Sequence, residues 1–169
     1  MQKLPNPVKP RYQTALTVLV LVQLSLISLP AHAVGDCSVS ATGVSFGSYT
    51  YTTPSPADTA GNIEVSCTLI GIFSLLVSYD ISLSTGNSGS YSPRSLVFGA
   101  NNLSYNLYTN AARTNIWGDG SASTSSVSDG YLLGLFTVVR NYTVYGRLPA
   151  AQNKPAGSYA DTIVVTITY

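Results

Sequence analysis

The sequence is poor in the groups that carry out acid–base or metal chemistry. Histidine occurs once, as His32, inside a segment that reads as removable. Glu64 is the one glutamate, and charged residues make up only 9% of the chain. Tryptophan and methionine each occur once. Without a histidine in the body of the chain there is no ready general base and no common metal ligand. Basic residues are few and scattered, which excludes the electrostatic footprint of a nucleic-acid binder. Helix formers are sparse too, and no amphipathic helical period stands out.

Residues 1–33 have the pattern of a secretory signal. Lys3, Lys9 and Arg11 make a positive start, Ala15 to Leu29 is largely apolar, and Pro30-Ala31-His32-Ala33 ends in an A-x-A cleavage pattern. The apolar run is short for a membrane span and ends on a breaker and small residues, so no stable membrane insertion is expected after cleavage. Cleavage after Ala33 leaves one domain, residues 34–169, long enough to bury a core. It carries Arg94, Arg113, Arg140, Arg147 and Lys154 against seven acidic residues.

Two cysteines remain, Cys37 and Cys67. An even count in an exported chain points to a disulfide rather than to two free thiols. Closing a loop of that length stabilises the fold by about 3.5 kcal/mol on the chain-entropy model.

The remainder is rich in Ser, Thr, Tyr, Val, Asn and Gly and alternates with a period of two. Cys37, Val39 and Ala41 share a face, and Val44 to Tyr51 continues as a short extended piece. Thr52 to Gly61 has the prolines and glycine of a loop. Next, Ile63, Val65, Cys67 and Leu69 oppose Glu64, Ser66 and Thr68, and Val77, Tyr79, Ile81 and Leu83 oppose Ser78, Asp80 and Ser82. Arg94 to Phe98 is a short strand. In the next strand Leu103, Tyr105 and Leu107 face in, with Asn106 and Tyr108 out. A turn and short extended piece around Trp117 leads to a low-complexity loop, Ser121 to Gly130. Tyr131 to Arg140 is apolar on both faces. Two strands close the sequence, and in the last Ile163, Val165, Ile167 and Tyr169 point one way and Thr162, Thr166 and Thr168 the other. The result is seven or eight strands in an all-β domain, an immunoglobulin-like β-sandwich or a closed barrel.

The last strand pairs earlier in its own chain or leaves an apolar edge for another molecule, since no residue follows Tyr169. Such an edge is a liability in water and a site for strand addition.

Several segments, taken in order, resemble the spore coat protein U domain, the subunit fold of archaic Csu-type chaperone–usher pili. They are CSVSATGVSFGSY from Cys37, GNIEVSCT from Gly61, LSYNLYTNAARTNIWGDG from Leu103 and TVYGRLPAAQNKPAGSYADTIVVTITY from Thr143. The resemblance implies an immunoglobulin-like sandwich that lacks its last strand. A periplasmic chaperone supplies that strand in transit, and a neighbouring subunit supplies it after an outer-membrane usher. It further implies a structural subunit of a surface pilus or coat, with no enzymatic activity and no cofactor.

On this reading Ile163, Val165, Ile167 and Tyr169 border the strand-acceptor groove. Only Val34, Gly35 and Asp36 precede Cys37 after cleavage, too few to donate a strand. A tip or terminal subunit that only accepts is therefore expected. The alternative is a surface-binding adhesin or lectin-like module, for which Trp117 beside Gly118-Asp119-Gly120 is the candidate contact loop; a lone Trp in a sandwich is more often core or loop packing. Asp80, Asp119, Asp129 and Asp161 are read as solvated surface acids rather than a catalytic pair.

Overall fold

The computed structural model describes residues 35–69, 75–134 and 136–169. The expected signal segment lies outside them. Eight strands follow one another: β1 (Gly35–Thr42), β2 (Ala57–Leu69), β3 (Leu75–Leu83), β4 (Arg94–Phe98), β5 (Asn101–Tyr108), β6 (Val127–Leu133), β7 (Val138–Leu148) and β8 (Val165–Thr168). They form two sheets, one in the order β1-β2-β7-β5-β4 and the other β6-β3-β8, and every pairing between strands is antiparallel. This is an all-β, immunoglobulin-like sandwich rather than a closed barrel.

The core is where the alternation points. Ile63, Val65 and Cys67 of β2, Val77, Tyr79, Ile81 and Leu83 of β3, and Leu103, Tyr105 and Leu107 of β5 are buried, joined by Val144 and Leu148 of β7. A disulfide joins Cys37 to Cys67, which are direct partners across β1 and β2.

Several segments depart from expectation. Thr52 to Gly61 is not all loop, because Ala57–Gly61 extends β2 and pairs with Val144–Leu148 of β7. Long-range pairing there overrides local turn composition. Gly61 is needed at that point, since a Cβ on it would stand 2.5 Å from the Thr42 carbonyl oxygen. Val44 to Tyr51 forms no strand but crosses one end of the sandwich. Tyr131 to Arg140 is two strands, β6 and β7, broken between them. The expected loop Ser121 to Gly130 enters β6 at Val127 and buries Thr124, whose hydroxyl donates to the Ser121 carbonyl at 2.6 Å.

Candidate functional site

β1 ends one sheet and β8 ends the other. Among the described residues β1 has β2 as its sole strand neighbour and β8 has β3. Among the described residues the two edges run side by side, and the seam between them is open.

The orientation of β8 follows from its hydrogen bonds. Ser84 N–H donates to the Val164 carbonyl at 3.0 Å, so the backbone of Val164 is turned toward β3. Backbone direction alternates along a strand. The N–H and C=O groups of Ile163, Val165 and Ile167 therefore face the seam, away from β3.

Their side chains point inward, half-buried, while Tyr169 is 69% exposed. On the other side β1 shows the same incompleteness. Val39 is 44% exposed although its cross-strand partner Val65 is fully buried.

Two cavities lie along the seam. The larger, about 1090 Å³, is bordered by residues 41–51 and by Ile163 and Val165, and its floor is core: Ile63, Leu83, Leu103, Tyr105, Leu107, Val144 and Leu148. The smaller, about 220 Å³, is bordered by Cys37, Val39, Val65, Ile167 and Tyr169. Of the four residues expected to border a groove, Ile163 and Val165 line the larger cavity and Ile167 and Tyr169 the smaller. Across the seam Ile167 and Tyr169 face Cys37 and Val39, whereas Ile163 and Val165 face Ala41 and beyond, so the two edges run antiparallel.

Distant segments hold the walls. Gly146 of β7 lets the first wall sit close, because a Cβ there would stand 2.5 Å from Val44 Cγ1 and 3.1 Å from Phe46. Phe46 meets Tyr105 edge to face at 5.8 Å. Tyr49 donates its hydroxyl proton to the Pro149 carbonyl and accepts the Gln152 N–H at 2.8 Å. The Gln152 amide grips both backbone groups of Ser104, at 2.7 and 2.9 Å.

Beneath one end lies a polar knot that alternation alone does not disclose. Arg94 is fully buried. Its Nε and Nη2 donate to the Ser84 carbonyl at 3.0 and 2.9 Å, Nη2 also to the Trp117 carbonyl at 2.7 Å, and Nη1 to Asn106 Oδ1 at 2.9 Å. Asn106, expected to face solvent, is buried because Arg94 and the Tyr91 carbonyl take up its amide. Tyr105 donates to Asp161 Oδ2 at 2.7 Å; burial, then that bond, pushes its hydroxyl well above the ordinary tyrosine value. The one sign of this knot in the sequence is a charged residue at an inward position, Arg94, in phase with Leu96.

Trp117 is not a surface contact. It is 1% exposed and its indole N–H donates to the Ile81 carbonyl at 2.9 Å, so it is a core residue. Each of these acids has its own hydrogen-bond partner: Asp58 has Arg147, Asp80 has Ser128, Asp119 has Ser121, Asp129 has Tyr142, and Asp161 has Tyr105.

Protein U of Myxococcus xanthus is 34% identical over 112 residues, an alignment covering 64% of this chain and 59% of that protein. The chain thus spans about three-fifths of the curated relative it matches. Among solved structures, the CsuC–CsuE chaperone–tip adhesion subunit pre-assembly complex, from archaic chaperone-usher Csu pili of Acinetobacter baumannii, aligns with 80% of this chain and 40% of the matched one. Sequence identity there is 20% and the TM-score 0.47. The family model of the Spore Coat Protein U domain matches residues 21–166. With that match spanning nearly all of the sandwich, the chain belongs to the spore coat protein U domain family.

Proposed function

We propose that this chain is a structural subunit of an exported surface pilus or coat, and that its open seam receives a strand from another protein. The seam carries the reading. Two sheet edges with free backbone groups flank a floor of core side chains, which is the geometry that strand addition completes. Backbone hydrogen bonds to Ile163, Val165 and Ile167 supply affinity, and alternate apolar side chains of the incoming strand cover the floor. Family membership and the segment-by-segment resemblance support a periplasmic chaperone, an outer-membrane usher and neighbouring subunits as partners, with no catalytic step.

The signal segment, residues 1–33, directs export. Cleavage after Ala33, just ahead of the start of β1 at Gly35, supports a subunit that receives a strand without donating one. On this reading the chain sits at a tip or terminal position.

Native mass spectrometry of the tagged chain, expressed in the periplasm with a cognate chaperone, tests this. A one-to-one complex with a mass starting at Val34 is expected. A monomer that binds neither chaperone nor an alternating apolar peptide overturns it.

A surface-binding module is the second reading, and one observation favours it. Leu76 and Leu132 are direct partners across β3 and β6 and are 72% and 67% exposed, with Phe136 81% exposed. Adjacent exposed apolar residues such as Leu76 and Leu132 mark contact surfaces. Replacing Leu132 and Phe136 with serine would then abolish surface attachment while assembly continues.

A further inference from the structure

The two ends of β1 are held in different ways. At its C-terminal end Thr42 lies tightly over Gly61, and the following Val44 and Phe46 sit on Gly146. At its N-terminal end the covalent tie is Cys37–Cys67. Between them the side-chain contacts are thin: Ser38 Oγ reaches the Ser66 carbonyl at only 3.5 Å, and Val39 and Ala41 are exposed. Gly43 follows directly, with nothing within 4 Å of where a Cβ would stand. The first half of β1 is thus an edge strand tied covalently at its start and held otherwise by its backbone ladder with β2.

Opposite it stands the second free edge, β8, antiparallel to β1 and separated by the smaller cavity. Cys37, Val39 and Ala41 alternate as a strand filling that gap requires. A move of β1 from β2 to β8 exchanges one set of backbone hydrogen bonds for another. It also covers Val39, Ile167 and Tyr169, which now border open space. The disulfide forbids this move, because Cys37 cannot leave Cys67.

We propose that the Cys37–Cys67 disulfide is a strand lock: it holds the first half of β1 on β2 and off the open edge of β8, so the oxidation state of the pair decides whether the seam stays open. A dithiol reductant opens the lock. Two electrons and two protons convert the S–S bond to the Cys37 and Cys67 thiols, while the reductant's own two thiols close to a disulfide. The released strand then occupies part of the seam. Its bearing on assembly rests on the strand-accepting reading above, since a seam closed by β1 excludes an incoming strand.

Residue-resolved amide exchange by NMR, on the oxidised and the dithiothreitol-treated chain, tests the lock without any partner. On reduction, the β2 amides between Glu64 and Thr68 that face β1 are expected to lose protection by about tenfold or more, while the β2–β7 pairing keeps its protection. The amides of Ile163, Val165 and Ile167, which face the seam, are expected to gain protection. A reduced chain whose β2 amides facing β1 stay protected overturns the proposal. Protection lost throughout the sandwich also overturns it, because the bond is then a general staple. The double variant Cys37→Ser, Cys67→Ser gives the same readout without reductant, and it must match the reduced chain. An oxidised chain that binds no strand would sink the functional reading and leave the lock standing; unchanged exchange would do the reverse.

Discussion

Arg94 takes the Ser84 carbonyl with two of its nitrogens, and the Val164 N–H that would pair with that carbonyl turns instead to Ser84 Oγ at 2.9 Å. The β3–β8 ladder stops there. A single buried guanidinium sets where β8 begins, and with it the upper limit of the seam. Removing it leaves the Ser84 and Trp117 carbonyls buried without a donor. Arg94→Met is expected to lower stability by about 3 kcal/mol or more in urea unfolding, since each unmet buried group costs about 1–3 kcal/mol. Arg94→Lys restores charge but not the fork that reaches three acceptors, and recovers only part of the loss.

Trp117 separates a core role from a surface one. Trp117→Ala is expected to cost about 3–5 kcal/mol. Trp117→Phe keeps most of the volume but removes the indole N–H that meets the Ile81 carbonyl, for a smaller loss. Tryptophan fluorescence of the native chain, with its single indole, is expected to shift to longer wavelength on unfolding. A variant of unchanged stability would contradict the buried placement.

Gly146 tests the wall of the seam. Gly146→Ala drives a methyl into Val44 and Phe46 and is expected to destabilise by about 1–3 kcal/mol. Val44→Ala in the same chain makes room. In a double-mutant cycle the pair should therefore cost less than the sum of the two single changes.

The pH dependence has two limbs. The hydrogen bond from Arg147 holds Asp58 below the ordinary carboxyl value, with burial opposing and Arg113 adding to the effect. The Tyr142 hydroxyl does the same for Asp129, again against burial. A carboxyl lowered in the folded state contributes stability above its unfolded value of about 4, and that contribution is lost as pH falls through the folded value. Urea midpoints should drop between pH 7 and pH 3, and Asp129→Asn should narrow the drop.

On the alkaline side, burial first and the bond to Asp129 second raise Tyr142. A raised tyrosine contributes below its unfolded value of about 10, and that contribution is lost as pH rises toward the folded value. Stability should therefore fall from about pH 10 upward, with a shallower fall in Tyr142→Phe.

The same hydrogen bonds show what was legible in advance. Ile63, Val65 and Cys67, or Leu103, Tyr105 and Leu107, declare themselves because one face of each strand is buried and the period is two. Ile163 to Tyr169 does so for the same reason, even though Tyr169 remains exposed. Asn106 was misread because its direction is set by Arg94, twelve residues away in sequence and against the alternation. Ala57–Gly61 has turn composition and is a strand only because β7 is there to pair with it. Trp117 gave no local sign of depth, since its partner is the carbonyl of Ile81, 36 residues away. The first wall, residues 43–51, has no period to read, because two glycines on other strands position it.

The tie between Tyr49 and Gln152 spans 103 residues of chain. Contacts so far apart in sequence close a large loop, and they form late when non-local pairing limits folding. During synthesis β1 and β2 emerge and can pair long before the opposite wall exists. The last part of this molecule to take shape is therefore the opening between β1 and β8. Until β8 is in place, the apolar floor beneath it is exposed more widely than in the finished sandwich.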